Sequence, residues 1–135
     1  MVPKITQLLA LSTLLCVPTA LSAACKAIEI TSVDQFNKLY NSDKPMITMY
    51  SATWCGPCKS TKPHFKSLAE TNTDITFCLV DTDKFGSTLA KSIRGIPTLK
   101  FSHKGRVLSS TSRGKRRSDL QKLINDFSTC NSMFG

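Results

Sequence analysis

Residues 52–60 read A-T-W-C-G-P-C-K-S, a stretch that places two cysteines, Cys55 and Cys58, three positions apart. The apolar run MITMY at 46–50 precedes it and predicts a strand, while residues 59–70 carry apolar side chains at helical spacing. The pair is therefore expected where a strand passes into a helix. Two thiols at this spacing can form a redox-active pair, half of a metal site or a structural crosslink.

The rest of the sequence disfavours the metal site and the crosslink. A structural zinc site needs four ligands, but the chain has no second C-x-x-C motif, and its histidines, His64 and His103, are isolated. A disulfide that closes so short a loop removes little chain entropy and stabilises a fold only weakly. We therefore expect a redox-active pair, with no metal and no cofactor.

The predicted helix start gives the two cysteines different roles. Unpaired backbone N–H groups and the positive end of the helix dipole would face the sulfur of Cys55, and both favour the thiolate. Cys58 lies one turn further on and should be more buried. We expect Cys55 to attack a partner disulfide as the nucleophile, and Cys58 to resolve the mixed disulfide that results.

The order of predicted elements indicates an α/β domain. Capping-box patterns at 32–35 and 118–121 begin the first and last helices, and a short helix is expected over 85–93. The residues 103–105 join the last two strands as a hairpin. The order β-α-β-α-β-α-β-β-α predicts a central mixed sheet of four to five strands flanked by about four helices.

Residues 1–24 have the three-part pattern of a secretory signal peptide. Lys4 precedes a mainly apolar run over 5–17, which is short for a membrane span, and small residues follow it. We therefore expect a signal peptide over 1–24 and one domain over 25–135, with no stable membrane span after cleavage. The protein would be exported and periplasmic or secreted, or lumenal in a eukaryote. An uncleaved N-terminal anchor is the alternative.

Two motifs resemble those of the thioredoxin family. W-C-G-P-C-K at 54–59 matches the family's active-site motif in full, and Ile96-Pro97-Thr98 is similar to its second signature. The order of strands and helices also resembles the family's, and the likeness extends over residues 32–127. It implies a thioredoxin fold and a thiol–disulfide oxidoreductase. Two motifs in the right strand context are far more specific than a lone C-x-x-C.

The resemblance also implies which residues shape the site. In the family, the proline of the second signature is cis and packs opposite the cysteine pair, which leaves a backbone edge for a substrate strand. A family glycine near the site and a proline within the helix have counterparts here in Gly114 and Pro63. The expected site-shaping and substrate-binding residues are Trp54, Gly56, Pro57, Ile96, Pro97 and Gly114.

The chain departs from the family at two buried positions. Ordinary members carry an aspartate six residues before the first cysteine, where this chain has Met49. Bacterial members pair that aspartate with a lysine on the next strand, at the position of Phe77. An acid there would help to take the proton from Cys58. The departure either slows the chemistry or reflects core packing without a redox consequence.

Three further cysteines lie outside the motif and the leader. Cys78 falls in an apolar strand and is expected to be a buried, inert thiol. Cys25 and Cys130 lie at opposite ends of the domain, and a disulfide between them would tie the termini together in an oxidising compartment. Two unpaired thiols, or lipidation of Cys25, are the alternatives.

The charge is basic and unevenly distributed. The net charge is +9, and residues 84–122 contain eleven Lys or Arg but one acid, Asp119. No nucleic-acid-binding motif accompanies these charges, so a solvated basic face is favoured and no nucleic-acid partner is expected. We also expect a monomer.

The residues between the cysteines suggest the direction of electron flow. Gly56-Pro57 resembles the reducing members of the superfamily, whereas oxidases and isomerases usually have a histidine there. The resemblance therefore implies reduction of disulfides in protein substrates. An oxidising compartment would load the pair as a disulfide, so an unidentified electron donor is also implied. The alternatives are an exported disulfide oxidase or isomerase, and a non-enzymatic module that binds acidic partners.

Overall fold

The computed structural model describes residues 25–112 and 116–133. Within them, five strands and four helices follow one another in the predicted order. They are β1 (Ile28–Glu29), α1 (Val33–Tyr40), β2 (Met46–Ser51), α2 (Gly56–Thr71), β3 (Thr76–Asp81), α3 (Thr82–Phe85), β4 (Thr98–His103), β5 (Arg106–Ser112) and α4 (Arg117–Met133).

The strands form one mixed sheet in the order β1-β3-β2-β4-β5. Strands β1, β2 and β3 are parallel, whereas β4 is antiparallel to both β2 and β5. The predicted mixed sheet with a terminal hairpin is therefore confirmed. Because β2 and β3 are parallel, with Ser51 opposite Asp81, the segments that follow the two strands begin at the same edge of the sheet.

Apolar side chains cover both faces of the sheet. On one face, α2 and α4 pack over the strands through buried residues such as Leu68 and Ile124. On the other face, Phe36 of α1 and Ala90 of the turns after α3 pack against Tyr50. The strands β2 and β3 are covered on both sides, which explains why their sequences are almost continuously apolar.

Local sequence signals account for most element ends. The Ser32 hydroxyl accepts a hydrogen bond from the backbone N–H of Gln35 at 3.1 Å and so caps α1. In a capping box, the Gln35 side chain would accept from the backbone N–H of Ser32. Here it accepts instead from the backbone N–H of Thr31, one residue earlier, at 2.8 Å. Between β4 and β5, Lys104 and Gly105 have φ values of 48° and 73°, as a two-residue hairpin turn requires.

Two helix predictions were wrong in their bounds. The short helix is α3, over Thr82–Phe85, and turns follow it to residue 92. The Asp81 side chain caps it by accepting from the backbone N–H of Asp83, and Gly86 ends it. The last helix begins at Arg117, two residues earlier than a cap at Ser118 predicts. The Arg116 carbonyl accepts from the Leu120 N–H at 3.0 Å, so Ser118 lies inside the helix.

Two predictions fall outside the described residues, namely the signal peptide over 1–24 and the site residue Gly114. In the ranges 25–112 and 116–133, no helix has the length and apolar content that crossing a membrane requires.

Candidate active site

The cysteine pair lies at the start of α2, as the sequence predicted. Cys55 is the N-cap residue of the helix, and its sulfur accepts a hydrogen bond from the backbone N–H of Cys58 at 3.2 Å. The two residues form a disulfide, with their Cα atoms 5.2 Å apart. The Cys55 sulfur therefore occupies the place where a helix N-terminus stabilises negative charge.

The two cysteines differ in their access to solvent. Cys58 is fully buried at 0% exposure, and Cys55 retains 5%. The residues around Cys55 are open, since Gly56 and Pro57 are exposed and Trp54 is 68% exposed. An approaching disulfide thus reaches Cys55 first, at a site bordered by exposed apolar surface.

Trp54 has a partner that the sequence interpretation missed. Its indole N–H lies 3.3 Å and 3.1 Å from the two carboxylate oxygens of Asp83. A signal was present, because Asp81 ends a buried strand, Asp83 follows two residues later, and parallel strands end at a common edge of a sheet. The sequence could therefore have predicted that an aspartate contacts Trp54, but not whether it is Asp81 or Asp83.

The second signature adopts the expected backbone geometry. The Ile96–Pro97 peptide bond is cis, and Pro97 is fully buried. Ile96 is partly buried and packs against both core clusters, one of which contains Cys55 and Cys58. The Thr98 hydroxyl donates to the Gly95 carbonyl at 2.6 Å and closes the segment on itself. The structure thus packs this segment against the core cluster that contains the cysteine pair. Gly114 lies outside the described residues.

The two departures from the family are buried beside the pair. Met49 and Phe77, at 0% and 2% exposure, belong to the cluster that contains Cys58. Phe77 also packs edge-on against Phe65, with ring centroids 5.1 Å apart. Among the described residues, the buried polar side chains are all hydroxyls, on Ser and Thr. No carboxylate in this part of the chain is thus buried near Cys58.

The other described cysteines are free thiols. Cys78 is buried at 0% exposure, as predicted, and burial raises its pKa from 9.0 to about 12, which disfavours the reactive thiolate. Cys130 is exposed on α4, and the Cys25 sulfur lies 3.9 Å from the Thr73 carbonyl oxygen. The bridge between Cys25 and Cys130 that the sequence allowed is not formed in the structure.

Known protein sequences similar to this chain are thioredoxins. The family model for thioredoxin matches residues 27–126. The thioredoxin of Callithrix jacchus is 35% identical over 102 residues, which cover 73% of this chain and 96% of that protein. The thioredoxin of Ovis aries is 37% identical over 101 residues, covering 73% of this chain and 95% of the relative.

A solved structure agrees with the sequence relatives. The crystal structure of Malassezia sympodialis thioredoxin superposes with a TM-score of 0.69 at 30% identity, and the match covers 76% of this chain and 92% of that chain. The sheet order, the cysteine pair at a helix N-terminus and these likenesses agree with one another. The chain therefore belongs to the thioredoxin family, whose members are thiol–disulfide oxidoreductases.

Proposed function

We propose that the protein reduces protein disulfides in an exported compartment, with Cys55 as the attacking thiol and Cys58 as the resolving thiol. Membership of the thioredoxin family and the adjacent cysteine pair make it a protein-disulfide reductase. The single observation that supports the division of roles is the position of Cys55. Cys55 caps α2 with its sulfur and retains 5% exposure, whereas Cys58 is fully buried.

The reaction transfers two electrons from the protein to the substrate. The Cys55 thiolate attacks one sulfur of the substrate disulfide, and the other substrate sulfur leaves as a thiolate. Cys58 then loses its proton and attacks the Cys55 sulfur, which expels the second substrate sulfur. The substrate is left as a dithiol and the protein as the Cys55–Cys58 disulfide, the state found in the structure.

In the described part of the chain, no buried carboxylate can accept the proton of Cys58. By the resemblance, Met49 stands where the family has its acid, and the residue opposite it on β3 is Leu79 rather than the expected Phe77; all three are apolar. The proton must therefore leave through solvent or the departing substrate thiolate. This supports a resolving step that is slower than in relatives with the acid.

Export is supported by the N-terminal 24 residues, with their single lysine, short apolar run and small residues. An exported reductase is oxidised at every turnover and needs a dedicated reductant of its own, which we propose is a separate dithiol protein. Mass spectrometry of the protein isolated from its source tests the export. A mature N-terminus at residue 25 supports a cleaved signal peptide and hence export, whereas a chain that retains residues 1–24 contradicts cleavage and favours the uncleaved anchor.

Replacing each cysteine tests the roles. We expect Cys55→Ser to abolish reduction of insulin disulfides, and Cys58→Ser to accumulate a mixed disulfide with the substrate through Cys55. The matched control is Cys130→Ser, which removes an exposed thiol outside the pair and should leave turnover unchanged. A Cys55→Ser protein that still reduces insulin at the native rate would contradict the proposal.

A further inference from the structure

A groove of about 380 Å³ lies next to the Ile96–Pro97 segment. Gly95 and Thr98, which flank that segment in sequence, both contribute to its lining. The groove continues onto the sheet, where Lys100 pairs with Ser110 and Thr98 pairs with Ser112. Its remaining polar side chains are those of Ser92 and Arg94.

The lining is basic and rich in hydroxyl groups. The Lys100 ammonium donates to the Ser92 hydroxyl at 2.9 Å and lies 5.3 Å from the centroid of the Tyr50 ring. These contacts hold the charge at the groove and still leave two of its three N–H donors free. Arg94 is exposed at the same groove. Within the described ranges, neither Arg94 nor Lys100 has a carboxylate within 4.0 Å.

We propose that this groove is an anion subsite that binds a carboxylate side chain of the substrate protein. The inference rests on the proposed function, because the bound segment is the one that presents its disulfide to Cys55. An extended substrate segment running past Ile96–Pro97 would continue over Thr98 and meet Arg94 and Lys100. Guanidinium and ammonium groups beside several hydroxyls supply the donors that a carboxylate prefers.

The shape of the groove favours a peptide carboxylate over a phosphate. Its lining comes from β4, β5 and the turn before β4, and it includes no helix N-terminus, the usual cradle of a phosphate group. The groove is open to solvent on the side of β5, an edge strand whose residues are mostly exposed. A side chain from an extended segment can reach such a groove without being enclosed.

The first experiment measures binding without chemistry. Two fluorescent peptides carry serine in place of cysteine and differ only in having three Glu or three Gln beside it. For the purified protein at low salt, we expect the Glu peptide to bind about threefold to fivefold more tightly, the size of one or two exposed ion pairs. The difference should disappear at high salt, since solvent-exposed charges are screened.

Variants locate the effect in the groove. We expect Arg94→Gln to remove most of the preference for the Glu peptide, and Lys100→Gln to act in the same direction. The matched control is Lys91→Gln, which removes the same charge three residues away from Arg94 but does not line the groove. Thermal unfolding of each variant checks that Lys100→Gln, which loses its contact with Tyr50, remains folded.

Several results would overturn the inference. Equal binding of the two peptides would contradict the subsite. An equal loss of preference in Lys91→Gln and Arg94→Gln would also contradict it, because it would show that the preference comes from general surface charge. Inorganic phosphate that displaces the Glu peptide more strongly than free glutamate does would indicate a phosphate site instead.

Turnover separates this inference from the proposed function. The same two peptides are joined to a neutral partner through a disulfide, and reduction is followed. A preference of similar size in kcat/KM, lost in Arg94→Gln, supports the subsite. If the neutral peptide disulfide is reduced as fast as the acidic one, the subsite is wrong and the reductase stands. If neither is reduced while the Glu peptide still binds preferentially, the proposed function is wrong and the groove stands.

Discussion

The exposed ring of Trp54 is held next to Cys55 by Asp83, whose two carboxylate oxygens lie 3.3 Å and 3.1 Å from the indole nitrogen. The two residues are 29 positions apart and come from segments that follow neighbouring parallel strands. A large apolar side chain that is 68% exposed would otherwise sample several rotamers. The contact therefore fixes the apolar border of the site.

Removing this contact should loosen the border without unfolding the protein. We expect Asp83→Ala to lower kcat/KM for protein disulfides a few-fold and to change unfolding stability by about 1 kcal/mol or less, because the contact is exposed. Trp54 is the one tryptophan of the chain, so its fluorescence reports the change directly. Asp74→Ala is the control, an exposed acid in the turn before β3. Unchanged fluorescence and turnover in Asp83→Ala would show that the contact has no role in solution.

Restoring the family's acid at Met49 should cost stability. Met49→Asp places a carboxyl among apolar side chains with no lysine opposite, because the residue paired with Met49 on β3 is Leu79. We expect the free energy of unfolding to fall by about 3 kcal/mol or more. The double variant Met49→Asp with Leu79→Lys should recover part of the loss, and Met49→Leu should lose less than about 1.5 kcal/mol. Urea titrations measure all three.

The same variants test whether Met49 slows resolution. A carboxylate near Cys58 can accept its proton, so the mixed disulfide should decay faster in the double variant than in the native protein. Acid quenching followed by mass spectrometry gives the lifetime of the mixed disulfide. An unchanged lifetime would mean that Met49 serves packing alone.

Stability should fall in alkaline solution because of two buried acids. Burial raises the pKa of Cys78 from 9.0 to about 12, and burial together with Tyr40 and Cys78 raises the pKa of Tyr50 from 10.0 to about 12. The unfolded chain releases these protons at lower pH than the folded chain. These two groups therefore leave the free energy of unfolding unchanged well below pH 9 and lower it as the pH rises from about 9 to 12, by up to about 1.4 kcal/mol per pH unit per group.

Urea titrations between pH 8 and pH 11 check this dependence. We expect Cys78→Ala to decline less steeply above pH 9 than the native protein. Cys130→Ala, which removes an exposed thiol, should decline as the native protein does. Equal slopes for Cys78→Ala and the native protein would contradict the assignment to Cys78.

The free thiols should react with iodoacetamide in the order of their exposure. In the oxidised native protein, we expect Cys130 to be alkylated readily and Cys25 more slowly, while Cys78 reacts only on unfolding. Peptide mass spectrometry identifies the modified sites. Recovery of a Cys25–Cys130 disulfide from the freshly isolated protein would contradict the free thiols of the structure.

Much of the fold was predictable because the decisive signals are local. A buried apolar strand followed by W-C-G-P-C-K placed Cys55 and Cys58 at a helix start, and alternation of strand and helix patterns gave the mixed sheet. The short helix was misplaced because the spacing of Phe85, Leu89 and Ile93 is typical of a helix, whereas α3 ends at Gly86 and turns follow it.

The features of the site that the sequence did not predict depend on long-range contacts. No local pattern distinguishes Asp83 from Asp81 as the partner of Trp54, because the choice depends on how the α3 segment lies against the end of β2. Likewise, Arg94 and Lys100 meet Ser110 and Ser112 only through the register of β4 and β5. The sequence showed an excess of basic residues but not which of them share a groove.

The midpoint potential of the Cys55–Cys58 pair tests the central claim most directly. The protein is equilibrated across glutathione redox buffers, and the fraction of disulfide is read by thiol trapping and mass spectrometry. A midpoint near about −270 mV is the result we predict, since it makes the pair a reductant of protein disulfides. A midpoint between about −180 and −120 mV would contradict a reducing role and place the protein with isomerases and oxidases.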